Sequence, residues 1–313
     1  MMKTTFFKYI LTVTIGIFSS VSAPADSKDP YLYILGVSQD AGYPQTGCYE
    51  AHCMPGWKNT DLRRNAVSLG LIDPSGNKKY MFEATPGFPA QFYALEMEAP
   101  SEHFQFAGIF LTHAHIGHYT GLMFLGHEAM GASKVPVYAM PIMTNFLTTN
   151  GPWSQLVNYR NIVLLPLQNN RAESLGTLKV TPFMVPHRDE YSETVGYRID
   201  GPNKSALFIP DINKWSDWDI NISELLKTVD YALIDASFYA DGELPGRDMS
   251  KIPHPFVVES MKNLEDLSAQ QRSKVWFIHM NHTNPLLNAQ SEESKFVRSK
   301  GFNIATEGVR LDL

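Results

Sequence analysis

The chain has 313 residues, 44% hydrophobic and 19% charged, with 21 glycines and 20 prolines. Those proportions belong to an ordinary globular protein and exclude disordered and fibrous readings, and the length can bury a full core as one large α/β domain or two small ones. Lys and Arg total 26 against 32 Asp and Glu, a formal charge of −6, which argues against holding nucleic acid through overall charge.

The N-terminus reads as an export signal. Lys3 and Lys8 border the apolar stretch from Tyr9 to Phe18, and small residues lead to Ala23-Pro24-Ala25, the layout of a secretory signal with an A-x-A cleavage site. The run is shorter than the roughly 20 residues of a spanning helix. Residues 1–25 are therefore expected to be removed, leaving residues 26–313 as one domain in the periplasm or outside the cell. The leader carries two lysines and no acid, so the mature chain is more acidic still. No later stretch is apolar enough to span a membrane, and no stable membrane insertion is expected.

Tyr31 to Val37 is a β-rich run ending in a loop through Gly42, Pro44 and Gly47. The two cysteines, Cys48 and Cys53, follow in Gly47-Cys48-Tyr49-Glu50-Ala51-His52-Cys53. Export to an oxidising space makes a short-loop disulfide one reading; the other is two thiols flanking His52 as part of a structural zinc site. Both are structural roles.

Ala66 to Ile72 reads as a strand that stops at Asp73-Pro74-Ser75-Gly76, a turn signal, with Lys79 to Glu83 as its hairpin partner. Further strands are expected at Gly108 to Thr112, Val135 to Ala139, Ile162 to Pro166, Leu178 to Val185, Thr194 to Ile199, Ser205 to Ile209, Tyr231 to Ile234 and Val275 to Ile278. Helices are expected at Ala90 to Met97, Gly121 to Met130, Pro141 to Thr148, Ile222 to Thr228, Pro255 to Leu264 and Glu292 to Lys300. There is no internal repeat or linker. Many short strands with helices between them imply two sheets covered by helices.

The chemistry is concentrated in histidines. His113, His115 and His118 follow the apolar strand Gly108 to Thr112 directly, which puts three imidazoles on one loop, where neutral nitrogen ligands suit a borderline-soft cation such as Zn²⁺. Four later strands also end on a candidate ligand: Val185-Pro186-His187, Ile209-Pro210-Asp211, Leu233-Ile234-Asp235 and Phe277-Ile278-His279. Ligands gathered at strand ends form a site on loops held by a rigid scaffold. His103 and His127 lie outside these loops and read as structural or surface residues. Trp215 and Trp218 wall a pocket or pack in the core, and Arg63 and Arg64 meet an anionic substrate or pair with surface acids.

With these residues in place, the sequence resembles the metallo-β-lactamase superfamily from about Tyr31 to the C-terminus. His113, His115 and His118 match its H-x-H-x-D-H loop, and His187, Asp211 and His279 match its downstream ligands. The resemblance implies a four-layer αββα sandwich and hydrolysis of esters, amides or phosphodiesters with one or two metal ions. Within the superfamily the sequence looks most like the branch containing the coenzyme PQQ synthesis protein B, through Gly36-Val37-Ser38-Gln39-Asp40-Ala41-Gly42-Tyr43-Pro44-Gln45 and Phe277-Ile278-His279-Met280-Asn281-His282-Thr283-Asn284-Pro285. Ile252-Pro253-His254-Pro255 is a weaker match to a late His of the ribonuclease Z and phosphodiesterase relatives.

One position departs from the pattern. Gly117 stands where the family has its Asp, a ligand of the second metal, so that site should be weakened or differently built. The first site, from His113, His115 and His187, keeps the three-ligand form of a catalytic zinc. Asp211 would bridge to a second ion held by His118 and His279, with His282 either replacing the lost carboxylate or standing behind the ligands. Restoring Asp at 117 is expected, on the sequence alone, to raise occupancy of the second site.

The expected reaction is metal-assisted hydrolysis of a small-molecule substrate. Metal held by neutral His lowers the pKa of bound water toward about 7, and the resulting hydroxide attacks an ester, amide or phosphodiester centre. Asp211 is expected to orient the nucleophile and take its proton, and His254 to protonate the leaving group or simply to mark a helix entry. Asp235 orients a ligand His or caps its turn. The alternatives are a metal-dependent oxidoreductase or pathway protein of the PQQ type and a metal carrier without turnover. Iron or manganese would suit the same His and carboxylate ligands.

Overall fold

The computed structural model describes residues 29–313, so the export signal expected at residues 1–25 lies outside the described residues. Fourteen strands are arranged in two sheets of seven among those residues. The first contains β1 (Tyr31–Gly36), β2 (Ser68–Asp73), β3 (Lys78–Phe82), β4 (Gln105–Phe110), β5 (Val135–Ala139) and β6 (Ile162–Pro166) in that order. The second runs from β7 (Glu173–Leu175) through β8 (Leu178–Met184), β9 (Val195–Asp200), β10 (Ser205–Ile209), β11 (Tyr231–Asp235) and β12 (Val275–Ile278) to β13 (Asn303–Ile304). The last strand, β14 (Arg310–Asp312), returns to the edge of the first sheet beside β1.

Side chains alternate across the first sheet, as the strand period of two requires. Leu32, Ile34, Leu69, Leu71, Tyr80, Phe82 and Phe110 point into the core shared with the second sheet, whereas Tyr31, Leu35, Ile72, Met81 and Ile109 point to the other side. There Phe88–Glu98, Pro141–Thr149 and Trp153–Asn158 cover the sheet through Leu95, Met143, Leu147 and Leu156. Between the sheets Phe82 lies 5.2 Å from Tyr197 and 5.9 Å from Phe208, both edge-on, geometries that add about 0.5–1.5 kcal/mol each beyond area burial. Helices Ile222–Leu226, Val257–Asn263 and Glu292–Ser299 bury Ile222, Leu226, Val257, Met261 and Val297 in the same core. Two mixed sheets flanked by helices make the αββα sandwich.

The helix expected over Gly121 to Met130 is instead a 3₁₀ turn, Thr120–Leu125, after the single turn Ile116–Tyr119. Ala84 holds both, donating to the His118 carbonyl and accepting from Gly121, and Gly121 packs so closely that a Cβ would lie 2.1 Å from the Thr85 carbonyl oxygen. Trp215 and Trp218 pack against the core, their indole N–H groups donating to Ser260 and the Met184 carbonyl.

The strand directions position the site. β3 and β4 are parallel, as are β10, β11 and β12, so the residues after their C-terminal ends gather along one edge. A strap joins the sheets there: Met280 donates to the Val37 carbonyl and Gln39 to the Met280 carbonyl, both at 2.8 Å. Asn65 braces the same strap, its carbonyl accepting from Val37 and Ser38 while its N–H donates to Glu307 at 2.6 Å. Burial pushes Glu307 up to about 7. Its folded pKa lies above the unfolded value of about 4.3, so folding favours the protonated acid, and its contribution to stability is lost as pH rises from about 4 through 7. Glu307→Gln keeps the acceptor and removes that loss. Thermal denaturation should therefore show the variant more stable than the parent at pH 8 and matched to it at pH 4.

Candidate metal centre

His113 and His115 leave β4 through Leu111 and Thr112, where the Tyr197 hydroxyl donates to the Leu111 carbonyl and Val195 donates to the Thr112 carbonyl. These bonds tie the histidine loop to the second sheet, which carries His187 and Asp211. Four donor atoms then converge. His113 Nε2 lies 2.9 Å from His115 Nδ1, and His187 Nε2 lies 3.3 Å from the same atom. Asp211 Oδ2 is 3.4 Å from His113 Nε2 and 3.2 Å from His187 Nε2. Donors bound at roughly 2.0–2.1 Å to one ion stand about 3 Å apart, so these four spacings suit donors gathered around a single cation.

Electrostatics favour the ligand forms. Burial, reinforced by neighbouring His118, holds His113 well below the usual imidazole range, and burial also lowers His115; both are neutral with a lone pair available. Burial alone would raise Asp211, but His187 and His254 outweigh it and bring the carboxyl well below its usual range. The outer nitrogens are held too. Thr112 Oγ1 is 2.9 Å from His113 Nδ1, and Glu190 Oε2 is 2.9 Å from His115 Nε2, contacts that fix which ring nitrogen faces inward.

A second group adjoins the first. Ligand atoms of Asp40, His118 and His279 lie within 4.8 Å of one another, and Asp211 Oδ2, 3.7 Å from His118 Nε2, faces both groups. Both His118 ring nitrogens and His279 Nε2 are buried without a hydrogen-bond partner in the protein. Glu83, next after β3, has Oε1 3.5 Å from His118 Nδ1; burial lowers His118, but Glu83 prevails and raises it to about 9. Asp40, Glu83 and His279 all have left-handed backbones, with φ of 42°, 72° and 66°. For non-glycine residues this costs about 1–3 kcal/mol apiece and persists only where the surroundings impose it.

Two expectations need correction here. His282 does not replace the carboxylate missing at 117: its Nδ1 is 4.0 Å from Cys53 Sγ, and its ring stacks on His52 at 5.2 Å. The site at 117 also has no room, since a Cβ there would lie 2.5 Å from Asp40 Cα and 2.7 Å from Asp40 Oδ1. An added Asp would collide with backbone rather than supply a ligand. Cys48 and Cys53 are joined as a disulfide with Cα atoms 6.0 Å apart, the first of the two readings left open by the sequence.

Asp235, the last residue of β11, accepts from the Ser237 N–H and hydroxyl at 2.8 Å each. Its other oxygen lies 2.8 Å from His254 Nδ1, and the Ser237 hydroxyl is 3.0 Å from His279 Nδ1. Asp235 thus holds His254 directly and His279 through Ser237. Although burial lowers His254, Asp235 and Asp211, the latter 3.1 Å away, bring it to about 10. His254 and Asp40 both line a cavity of about 470 Å³ whose charged lining also includes Arg188, Arg247 and Lys251.

An αββα sandwich with a His and Asp cluster at its strand ends defines a metal-binding protein of the metallo-β-lactamase type. The chain belongs to the beta-lactamase superfamily, whose domain matches residues 71–280. It is 23% identical over 306 residues to coenzyme PQQ synthesis protein B of Xanthomonas oryzae pv. oryzae, covering 90% of this chain and 99% of that one. The Methylorubrum extorquens protein of the same name is 24% identical over 312 residues, covering 90% and 100%. Among solved structures, Zn²⁺-bound PqqB from Methylobacterium extorquens superposes with a TM-score of 0.76 at 22% identity, covering 90% of this chain and all of that one. A diphosphatase from the PhnP family gives 0.61 at 22% identity, with 91% and 97% covered.

Three residues at the centre escaped the sequence reading as site residues. Glu83 follows a strand as the ligands do but its place in a hairpin hides it, and Glu190 sits three residues beyond His187 in an exposed turn. Asp40 sits in the loop that carries the family resemblance, and the carboxylate missing at 117 is the signal in the sequence that another must take its place.

His115→Ala removes a donor from the middle of the first group and is expected to abolish tight binding of the first ion. Glu190→Gln, which loses only the orienting charge, should weaken it by about 10–100-fold. Metal content after dialysis, read by mass spectrometry, checks both; unchanged content in His115→Ala refutes the assignment of this group.

Proposed function

We propose that the protein is an exported zinc-dependent hydrolase that cleaves an anionic small-molecule ester, a phosphoester before a carboxylic one. The observation that carries the reading is the convergence of His113, His115, His187 and Asp211 at donor spacings that suit one ion, beside a cavity lined by Arg188, Arg247 and Lys251. His113, His115 and His187 with Asp211 would hold one ion; Asp211, His118 and His279 belong to a second position. Bound there, zinc supplies Lewis-acid polarisation and a water whose pKa is lowered toward about 7. That the superposable PqqB structure is zinc-bound supports this choice of ion.

The remaining steps fall to side chains. The cavity cations attract and orient the anionic substrate; the exposed pairs Arg188–Glu190 at 3.6 Å and Lys251–Asp248 at 3.4 Å are too weak to neutralise them. Asp211, kept ionised by His187 and His254, would orient the attacking water. His254, held as a cation by Asp235 and Asp211, donates its proton to the departing oxygen. The disulfide supports an oxidising compartment, and hence export. No helix among the described residues is long and apolar enough to cross a membrane.

The near full-length likeness to coenzyme PQQ synthesis protein B favours one second reading, a step in the assembly of a cofactor. Turnover separates the two. The zinc-loaded protein is expected to hydrolyse a bis-aryl phosphate faster than a neutral aryl ester or a lactam, and His254→Asn should lower kcat about 10²–10⁴-fold. Arg247→Ala should raise KM for the phosphate about tenfold or more, the worth of one hydrogen bond to a charged group, with kcat little changed. A metal-loaded protein inert toward all three substrates refutes the hydrolase reading in favour of the second.

A further inference from the structure

The second group raises a question that the superfamily pattern does not answer: which carboxylate stands against His118 and His279 when residue 117 has no side chain. We propose that Asp40, delivered by the loop after β1, is a ligand of the second ion in place of the Asp expected at 117. The proposal rests on the metal-centre reading above and deepens it by one named residue.

Complementary shape is the first support. A Cβ at 117 would meet Asp40 Cα at 2.5 Å and Oδ1 at 2.7 Å, so the Asp40 carboxylate lies in the volume that a side chain at 117 would enter. The two positions exclude each other: an acid at 117 leaves no room for Asp40, and Asp40 as seen here requires glycine at 117. The carboxylate has changed its point of attachment while remaining in the same part of the site.

Its partners supply the second support. A carboxylate oxygen of Asp40 and nitrogens of His118 and His279 lie within 4.8 Å of one another. His279 Nε2 and both His118 nitrogens are fully buried without a hydrogen bond in the protein, Glu83 standing 3.5 Å behind His118 Nδ1, and buried ring nitrogens are rarely left so unless something else binds there. Charge agrees. Buried charge is tolerated only when paired; with Asp211 facing both positions and Glu83 standing behind His118, Asp40 adds a carboxylate on the side of the ion that faces the cavity.

Third, the backbone holds Asp40 in place. Its φ of 42° is left-handed. The loop is pinned on both sides of it, by Gln39 donating to the Met280 carbonyl at 2.8 Å and Gly42 donating to the Gln39 carbonyl at 3.1 Å. Met280 is the neighbour of His279, so the strap that fixes Asp40 also fixes its fellow ligand. Asp40 is half-buried and lines the cavity, which leaves an ion at this position open to substrate.

The test compares the parent protein with Asp40→Asn, nearly the same shape without the charge, and with the smaller Asp40→Ser. Each is stripped by chelation and titrated with Zn²⁺ by calorimetry and with Co²⁺ by visible absorption. The parent is expected to take two ions. Both variants should keep the first tight equivalent, which also reports that they are folded, and lose affinity for the second by about 100-fold or more, beyond what removing a merely orienting contact costs. Gly117→Asp should weaken the second equivalent as well, because its side chain displaces Asp40.

A second equivalent as tight in Asp40→Asn or Asp40→Ser as in the parent overturns the proposal, and so does a second equivalent that tightens in Gly117→Asp. One ion per chain in parent and variants alike overturns the proposal while leaving the metal-centre reading intact. A parent that binds no ion tightly overturns that reading, and the proposal with it.

Discussion

Imidazoles and carboxylates drawn from both sheets meet beside a cavity, and several of their buried inward-facing atoms make no hydrogen bond in the protein. His118 is fully buried with neither nitrogen hydrogen-bonded, and His279 Nε2 is in the same state. A folded chain tolerates few such groups, since each forfeits its hydrogen bonds to water without replacement. Their concentration around Asp211 makes sense when a cation completes them. The surroundings then follow: Glu83, Glu190 and Asp235 stand behind ligand rings, where a negative charge both orients an imidazole and strengthens it as a donor.

The sandwich keeps this cluster rigid by placing its members at strand ends instead of on long loops. Parallel pairing of β10, β11 and β12 sets Asp211, Asp235 and His279 side by side, and parallel pairing of β3 and β4 sets Glu83 under the histidine loop. The strap between Val37, Gln39 and Met280 closes the remaining side. Left-handed backbones at Asp40, Glu83 and His279 show how much conformational cost the packed sheets around the cluster absorb.

Much of this was legible in the sequence because the signals are local. Apolar β-branched runs marked β5, β6, β10 and β12 at their observed limits, and the H-x-H-x-x-H spacing together with a ligand type after each of four strands named the first group. What failed depended on distance in sequence. The apolar run from Gly121 reads as helix by composition, yet contacts with Ala84 and Thr85 tighten it into a 3₁₀ turn. His282 looked like a ligand because it is three residues from His279, whereas the left-handed turn at His279 sends the chain toward the disulfide. Asp40 is 77 positions from Gly117, and no local pattern links a side chain to the absence of another.

The pairing of β14 with β1 bears on how the molecule is made. Residues 310–312 form one edge of the sheet whose neighbouring strand begins at Tyr31, so β1 waits for a segment far along the chain before both its sides are bonded. Contacts spanning so much of the chain form slowly, because a large loop must close before they are gained. Until then β1 presents an open edge, the kind of surface to which stray strands add, and a chain that lost residues 310–312 would keep that edge for good.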